Sequence, residues 1–245
     1  MAIPEFELIR RYFSTAWQQI PVPELCLGPG DDAAIIQMSP ADQLLVSVDT
    51  LNEGIHFLPN SPADRLAQRC LRVNISDLAA MGGEPVGFTL ALSLPQVDSE
   101  WLAAFSEGLA AAAMAAKCPL IGGDTAQGPL SITIQVLGKV PAGQAIRRDG
   151  AQPGDRIYVT GTLGDAAAAL PVMKRAQSEE AMKDLEHLSG QDIDELLRAF
   201  YEPEIRVPAA IKLRCLATAG LDLSDGLISD LQHILTASSQ NTSAT

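Results

Sequence analysis

Stretches of alternating polarity exchange with stretches of helical period along most of the chain. "LLVSVDT" (44–50) sets Leu45, Ser47 and Asp49 on one face and Val46 and Val48 on the other, which predicts a strand with a carboxylate at its C-terminal end. "SPADRLAQRCLRVNISDLAAMG" (61–82) predicts a helix, with Ser61 as cap, Pro62 in the first turn and Asp64 completing a capping-box variant. Asn74 and Asp77 share a face of that helix, and Asp77 sits among Val73, Ile75, Leu78, Ala79, Ala80 and Met81. Alternating, β-branched content predicts strands at "PVGFTLALSLP" (85–95) and "SITIQVLGKV" (131–140). Between them the alanine-rich "DSEWLAAFSEGLAAAAMAAK" (98–117) predicts a helix started by Asp98 or Ser99 and followed by Pro119.

"AGQAIRRDGAQPGD" (142–155) is polar, carries Gly and Pro and has no period, so it reads as a junction between domains at 1–141 and 142–245. Beyond it the pattern predicts a strand, "RIYVTG" (156–161), then a helix, "LGDAAAALPVMKRA", kinked at Pro171. "QSEEAMKDLEHLSGQD" (177–192) reads as a solvated loop or surface helix, and a further helix precedes "YEPEIRVP". The last unit, "AGLDLSDGLISDLQHIL" (219–235), reads as a short strand entering a helix with apolar positions at 227, 228, 231, 234 and 235. No internal repeat is visible. The fold class expected is α/β with two domains, the second incomplete.

With 47% hydrophobic and 19% charged residues, the 245-residue chain has the composition of a globular protein with a sizeable core. No apolar run approaches the ~20 residues of a membrane helix, and "MAIPEFELIRRYF" lacks the uninterrupted apolar stretch of a signal peptide. A cytoplasmic protein with no membrane contact is expected. The four cysteines are scattered among apolar neighbours without metal or redox spacing, which predicts buried, reduced thiols. A formal net charge of −13 argues against nucleic acid or an anionic membrane as partner. Phosphate ligands remain compatible with it only where cations lie between the negative groups.

Carboxylates recur at the ends of the predicted elements: Asp31 and Asp32 in "LGPGDDAAII", Asp49, Asp77, Asp124 after "LIGG" at a strand end opening into a glycine turn, and Asp222 and Asp225 around Ser224. Singly, each has an ordinary explanation. Ser224 or Asp225 suits a helix cap, and Asp31 or Asp32 an Asx-turn. Together they converge, because strand ends in an α/β sheet meet at one crevice. Two carboxylates ~4 Å apart repel by about 4 kcal/mol at a protein surface. No cluster of Lys or Arg near them in sequence offsets this. Hard divalent cations do, since Mg²⁺ takes oxygen ligands and bridges carboxylates to phosphates.

The glycines carry no common nucleotide loop. No G-x-x-x-x-G-K-[ST] is present; Gly28, Gly30 and Ala33 fit a loose G-x-G-x-x-A spacing, but "AAIIQM", beginning at Ala33, reads as a strand rather than the helix a dinucleotide fingerprint requires. "VTGTLGDAAAAL" reads as strand, glycine turn and helix, equally suited to an anion or to turn chemistry. Arg147 and Arg148 read either as a surface pair or as a phosphate clamp, and His56 in "EGIHF" follows the Asp49 strand closely enough to reach the same crevice.

Six stretches in order, "GPGDDAA", "SVDTLNEGIHF", "VNISDLAAMGGEP", "LIGGDT", "GAQPGDRIYVTGTLGDAAAAL" and "LDLSDGLISDL", together resemble the thiamine-monophosphate kinases of the aminoimidazole ribonucleotide synthetase superfamily. The resemblance implies transfer of the γ-phosphoryl of ATP to thiamine monophosphate, directly and in line, with several Mg²⁺ ions and no covalent enzyme intermediate. It implies metal ligation by Asp32, Ser47, Asp49, Asp77, Asp124, Asp222 and Asp225, with Val48 contributing its carbonyl. It also implies ATP contacts from Asp32, Gly123, Asp124, Arg148 and Ser224, and a thiamine contact from His56. A homodimer is implied too, whose N-terminal mixed sheets pair into a β-barrel with nucleotide in the shared groove. "YEPEIRVP" matches the family's proline-rich Arg segment only in part, so the role of Arg206 stays open. The family's Gly-Gly-Glu-Asp-Tyr-type motif and C-terminal aromatic do not occur, which implies a chain shortened on the substrate side.

Two other readings stand beside this one. A selenophosphate synthetase calls for a reactive Cys with a nearby Lys, whereas Cys26 has none and the first lysine is Lys117. A cyclo-ligase of the same superfamily shares the aspartate pattern. A non-catalytic dimeric module that binds Mg·ATP is the alternative of a different class. A purely structural acidic domain is the blandest.

Overall fold

The structure, a computed structural model, describes residues 7, 11–13, 20–29, 33–175 and 188–242. Asp31 and Asp32 lie outside the described residues, as do residues 177–187 of the polar stretch.

A short antiparallel ribbon, β1 (Leu25–Leu27) with β2 (Ile35–Ile36), precedes a four-stranded mixed sheet in the order β3 (Asp42–Asn52), β6 (Ser131–Pro141), β4 (Glu84–Leu94), β5 (Leu120–Gln127). β6 pairs antiparallel with both β3 and β4, while β4 and β5 run parallel. The parallel pair needs a crossover, and α2 (Ser99–Ala116) supplies it. α1 (Ala63–Ala80) links β3 to β4. One sheet face, carrying Phe88, Leu90, Ile132, Ile134 and Val136, packs against Leu66, Leu71, Ile75 and Leu78 of α1 and Phe105 and Leu109 of α2. α1 and α2 approach so closely that a Cβ on Gly108 would stand 2.0 Å from the carbonyl oxygen of Asp64. Only glycine fits there.

The opposite sheet face is bare. Leu44, Val46 and Val48 of β3 are 47%, 53% and 54% exposed, and Thr133 and Gln135 of β6 and Ala91 of β4 share their side of the sheet.

Beyond Pro141 the described structure is irregular coil and helix: α3 (Asp165–Arg175), α4 (Gly190–Tyr201), α5 (Val207–Leu213) and α6 (Leu227–Thr242). Ser189 and Asp192 form a reciprocal capping box on α4. Arginines fasten this half to the first. Arg69 donates to Phe200 O (2.6 Å) with its guanidinium over the Phe200 ring (3.9 Å), and Arg214 bridges Gly82 O (2.6 Å) and Glu84 Oε1 (2.9 Å). No helix among the described residues is long and apolar enough to cross a membrane.

Several expectations are corrected. Ser61 does not cap α1; Pro62 is its N-cap without a side-chain bond, while Ser61 Oγ donates to Leu58 O (2.8 Å). β5 continues through Gly122, Gly123 and Asp124 to Gln127 rather than ending in a glycine turn. Neither 156–161 nor 219–223 is a strand, because no described strand lies beside either to accept its hydrogen bonds. Ile157 and Tyr158 stand 65% and 81% exposed in consequence. Cys70 and Cys118 are buried as expected, whereas Cys26 and Cys215 are exposed.

Candidate functional site

β3 is the outer strand on one side of the sheet, and the last two turns of α1 cross beside it. Strand alternation turns Ser47 and Asp49 toward the helix, since their partners across β6, Val136 and Ile134, are fully buried. The helix answers at the same spacing. Asp77 Oδ2 accepts from Ser47 Oγ (2.6 Å), and Asn74 Oδ1 accepts from the backbone N–H of Asp49 (3.1 Å). Asn74 is wholly buried and donates through Nδ2 to Cys70 O (2.8 Å), so both ends of its amide are used. Aspartate in this place would add a buried charge beside Asp49.

Asp77 is near enough to disturb Asp49. Burial raises the Asp49 carboxyl above its ordinary value, the charge of Asp77 raises it further, and His56 opposes both. His56 sits in the tight turn that follows β3, where Asn52 N donates to its Nδ1 (3.0 Å) and its own N–H donates to Asn52 O (2.9 Å). The ring is thus held at the end of the Asp49 strand.

Across from α1 the irregular segments 145–149 and 220–222 complete an open cleft of about 780 Å³ whose lining includes Ser47, Asp77, Arg148 and Asp222. The Asp222 carboxyl is pushed up to about 6, by burial first and by Asp77 next, with Arg148 pulling the other way. Arg147 is engaged by Asp149 at 2.9 and 2.6 Å, which makes it the surface member of the arginine pair. Arg148 faces the carboxylates.

His56, Asp49, Asp77, Asp222 and Arg148 therefore form one electrostatic chain, drawn from a turn, a strand, a helix and two loops. Among the described residues no group of three or more His, Cys, Asp or Glu side chains is arranged to hold a metal ion. The donors present are carboxylate and hydroxyl oxygens, which suit hard cations, and Mg²⁺ in particular is commonly held by one or two carboxylates, waters and substrate phosphates rather than by an all-protein cage. The donor set fits that ion.

Other expected residues fall elsewhere. Ser224 and Asp225 lie exposed in the turn after Asp222. Val48 turns its side chain to the bare face. Gly123 and Asp124 are on β5, at the far edge of the sheet, with Asp124 opposite Ala91 and so on the bare face. Three strand spacings separate β5 from β3, about 14 Å. One copy of the chain does not bring Asp124 to Asp49. Gly123 has a packing role of its own, since a Cβ there would lie 2.1 Å from Leu90 O. Arg206 is the N-cap of α5 and pairs with Glu204 (2.9 Å).

Two residues carry site geometry that sequence reasoning did not single out as functional. Asn74 was legible only as a face-mate of Asp77. Asp230, 3% exposed, accepts at Oδ2 from the N–H groups of Ser224, Asp225 and Gly226. Its signal was a carboxylate in the first turn of the helix that follows the Asp222–Gly226 turn.

Residues 30–140 match the family described as AIR synthase related protein, N-terminal domain. The chain is 48% identical over 240 residues to the thiamine-monophosphate kinase of Salmonella typhimurium, covering 97% of this chain and 70% of that protein. Among solved structures it resembles the thiamine-monophosphate kinase from Stenotrophomonas maltophilia K279a, with TM-score 0.83, 43% identity, and 98% of this chain and 73% of the other covered. It also resembles AaThiL complexed with AMPPCP and TMP, with TM-score 0.74, 29% identity, and 85% and 64% covered.

Proposed function

Because this chain belongs to the thiamine-monophosphate kinase family, we propose that its cleft is the phosphoryl-transfer site, and that the protein phosphorylates thiamine monophosphate with ATP to give thiamine diphosphate and ADP. The observation that carries the reading is the one cleft lined by Ser47, Asp77, Arg148 and Asp222, with Ser47 Oγ hydrogen-bonded to Asp77 Oδ2 and Asp77 disturbing both Asp49 and Asp222. A phosphate oxygen of thiamine monophosphate forms a bond to the γ-phosphorus as the bond to the β–γ bridging oxygen breaks, and ADP leaves with that electron pair. No covalent enzyme intermediate is required, so positioning and charge neutralisation are what the protein must provide.

Each residue has a task in this reading. Ser47, Asp49, Asp77 and Asp222 would hold Mg²⁺ ions, together with Asp32, Asp225 and the Val48 carbonyl. Bound there, the ions would supply charge neutralisation of the phosphates and polarisation of the transferred group. Arg148 and Ser224 meet the polyphosphate of ATP, and His56, fixed at the end of β3, meets the thiamine substrate.

Gly123 and Asp124 join the site through a second copy. The exposed Leu44, Val46 and Val48 form the bare face that sheet pairing in a homodimer would cover, closing the β-barrel and bringing the far edge of one sheet toward the cleft of the other. The division at 141/142 then separates a dimerising, metal- and ATP-binding domain from a second domain that walls the cleft. A cytoplasmic enzyme fits this substrate pair.

The deciding experiment follows thiamine diphosphate formation from ATP, Mg²⁺ and thiamine monophosphate in the wild type and in Asp49→Ala. Product that disappears with Asp49 supports the reading. Product at equal rates from both, or no product together with no Mg·ATP-dependent rise in melting temperature, removes it.

A further inference from the structure

α6 holds both loops that carry charged residues of the cleft, and it does so through two buried side chains. Asp230 Oδ2 gathers the consecutive N–H groups of Ser224, Asp225 and Gly226 at 3.0, 3.1 and 3.2 Å. About two turns further along the same helical face, Ser238 donates through Oγ to Arg148 O (3.1 Å) and accepts from Ala151 N (3.0 Å). These two are buried at 3% and 6% exposure on a helix whose neighbours Ile228 and Leu235 are 88% and 51% exposed.

Both loops lack strand or helix bonds of their own at these positions. They are tied to one another through Gly220 N, which donates to Arg147 O (3.1 Å). A run of convergent amides is an anion-binding nest when empty. Here the Asp230 carboxylate fills it from the helix side, while Ser224 and Asp225 stay exposed and Asp222 lines the cleft.

We propose that Asp230 and Ser238 are positioning residues for the transfer reaction: Asp230 sets the turn that presents Asp222, Ser224 and Asp225, and Ser238 sets the backbone that presents Arg148. The inference rests on the kinase reading of the cleft. It is tested with Asp230→Ala, Asp230→Asn and Ser238→Ala beside the wild type, measuring rates over ranges of ATP, Mg²⁺ and thiamine monophosphate. Amide hydrogen exchange over 222–226 and the melting shift with Mg·ATP are measured on the same samples.

Asp230→Ala is expected to raise the ATP and Mg²⁺ concentrations for half-maximal rate about tenfold, with the KM for thiamine monophosphate within about twofold of wild type. It is also expected to lose exchange protection at Ser224, Asp225 and Gly226. Asp230→Asn keeps an acceptor oxygen and should stay within about threefold of wild type. Ser238→Ala should raise the ATP KM about fivefold and leave the Mg²⁺ requirement in place. Wild-type ATP and Mg²⁺ dependence in Asp230→Ala, or an equal loss for every substrate, overturns the inference. Should Asp230→Ala not fold, an Asp230→Asn variant impaired alike toward all substrates, or a Ser238→Ala variant with unchanged ATP KM, overturns it as well. An active wild type with unaffected variants removes this inference alone, whereas a wild type that neither reacts nor responds to Mg·ATP removes the kinase reading beneath it.

Discussion

Ser47 Oγ donates a 2.6 Å hydrogen bond to Asp77 Oδ2, joining the middle of β3 to the last turn of α1 at the carboxylate that disturbs both Asp49 and Asp222. The hydroxyl is a neutral hydrogen-bond partner in a strongly acidic corner, and a hydrogen bond to a charged acceptor contributes about 1.5–3 kcal/mol. Ser47→Ala should therefore lower kcat/KM by roughly 10- to 100-fold. Steady-state kinetics at saturating and limiting Mg²⁺ check this, and a rate within twofold of wild type contradicts it.

Asp77→Asn keeps an acceptor for Ser47 while removing one of the mutually repelling charges. In metal-free buffer its melting temperature should rise by about 2–4 °C, as about 1 kcal/mol does for a chain of this size. The wild type should gain stability on adding Mg²⁺ and the variant should gain little. Thermal scans with EDTA and with Mg²⁺ read both outcomes together, and loss of activity alongside greater metal-free stability is the expected signature.

Asn74→Ala should be destabilising in a way no surface change is. It strands the N–H of Asp49 and the carbonyl of Cys70 around a fully buried position. A loss of about 2 kcal/mol follows from the unpaired groups, or roughly 4–8 °C in melting temperature. Equal melting of variant and wild type would show that water enters and satisfies both groups.

Gly122 and Gly123 are adjacent yet should respond differently to alanine. At Gly122 the added carbon meets nothing nearer than Thr89 Cγ2 at 3.9 Å, whereas at Gly123 it meets Leu90 O at 2.1 Å. Gly123→Ala should cost about 1–3 kcal/mol in a urea titration by forcing β4 and β5 apart, and Gly122→Ala much less. Equal midpoints for the two would contradict the pairing register of β5 on β4.

Thiol chemistry reports the fold directly. Burial pushes the Cys70 thiol up to about 12 and raises that of Cys118 as well, while Cys26 and Cys215 are exposed. A thiol reagent at pH 8 should modify Cys26 and Cys215 quickly and the buried pair only after denaturation, because the thiolate is the reacting species. Peptide mapping of the quenched protein identifies which sulfurs react. Rapid labelling of Cys70 in the folded chain would be incompatible with the packing of α1.

Much of this was legible without the structure, and the boundary between what was and was not follows the range of the forces. Helical bonds run between residues four apart, so the apolar faces of α1 and α2 and the cap at Asp98 could be read from neighbouring letters. β3, β4 and β6 were legible because each buries one face on its own helices and alternates accordingly. The carboxylates at 49, 77 and 222 were recognisable as a set from their apolar surroundings.

Tertiary structure alone decided which of them meet. Strand pairing is non-local, so only the sheet order could place Asp124 on the far edge and the bare face, away from Asp49. For the same reason "RIYVTG" and "AGLDL" carry strand-like letters yet form no strand beside any described neighbour. Ser61 had the letter of a cap, but its hydroxyl was taken by Leu58 O and by the Tyr201 hydroxyl, from a distant part of the chain. Asp230 shows the converse: an unremarked carboxylate acquired its role once the chain had folded three amides onto one oxygen. The sequence by itself determined the residues capable of this chemistry and the local elements that carry them; which side chains share a cleft was decided by hydrogen bonds and packing between segments far apart in the chain.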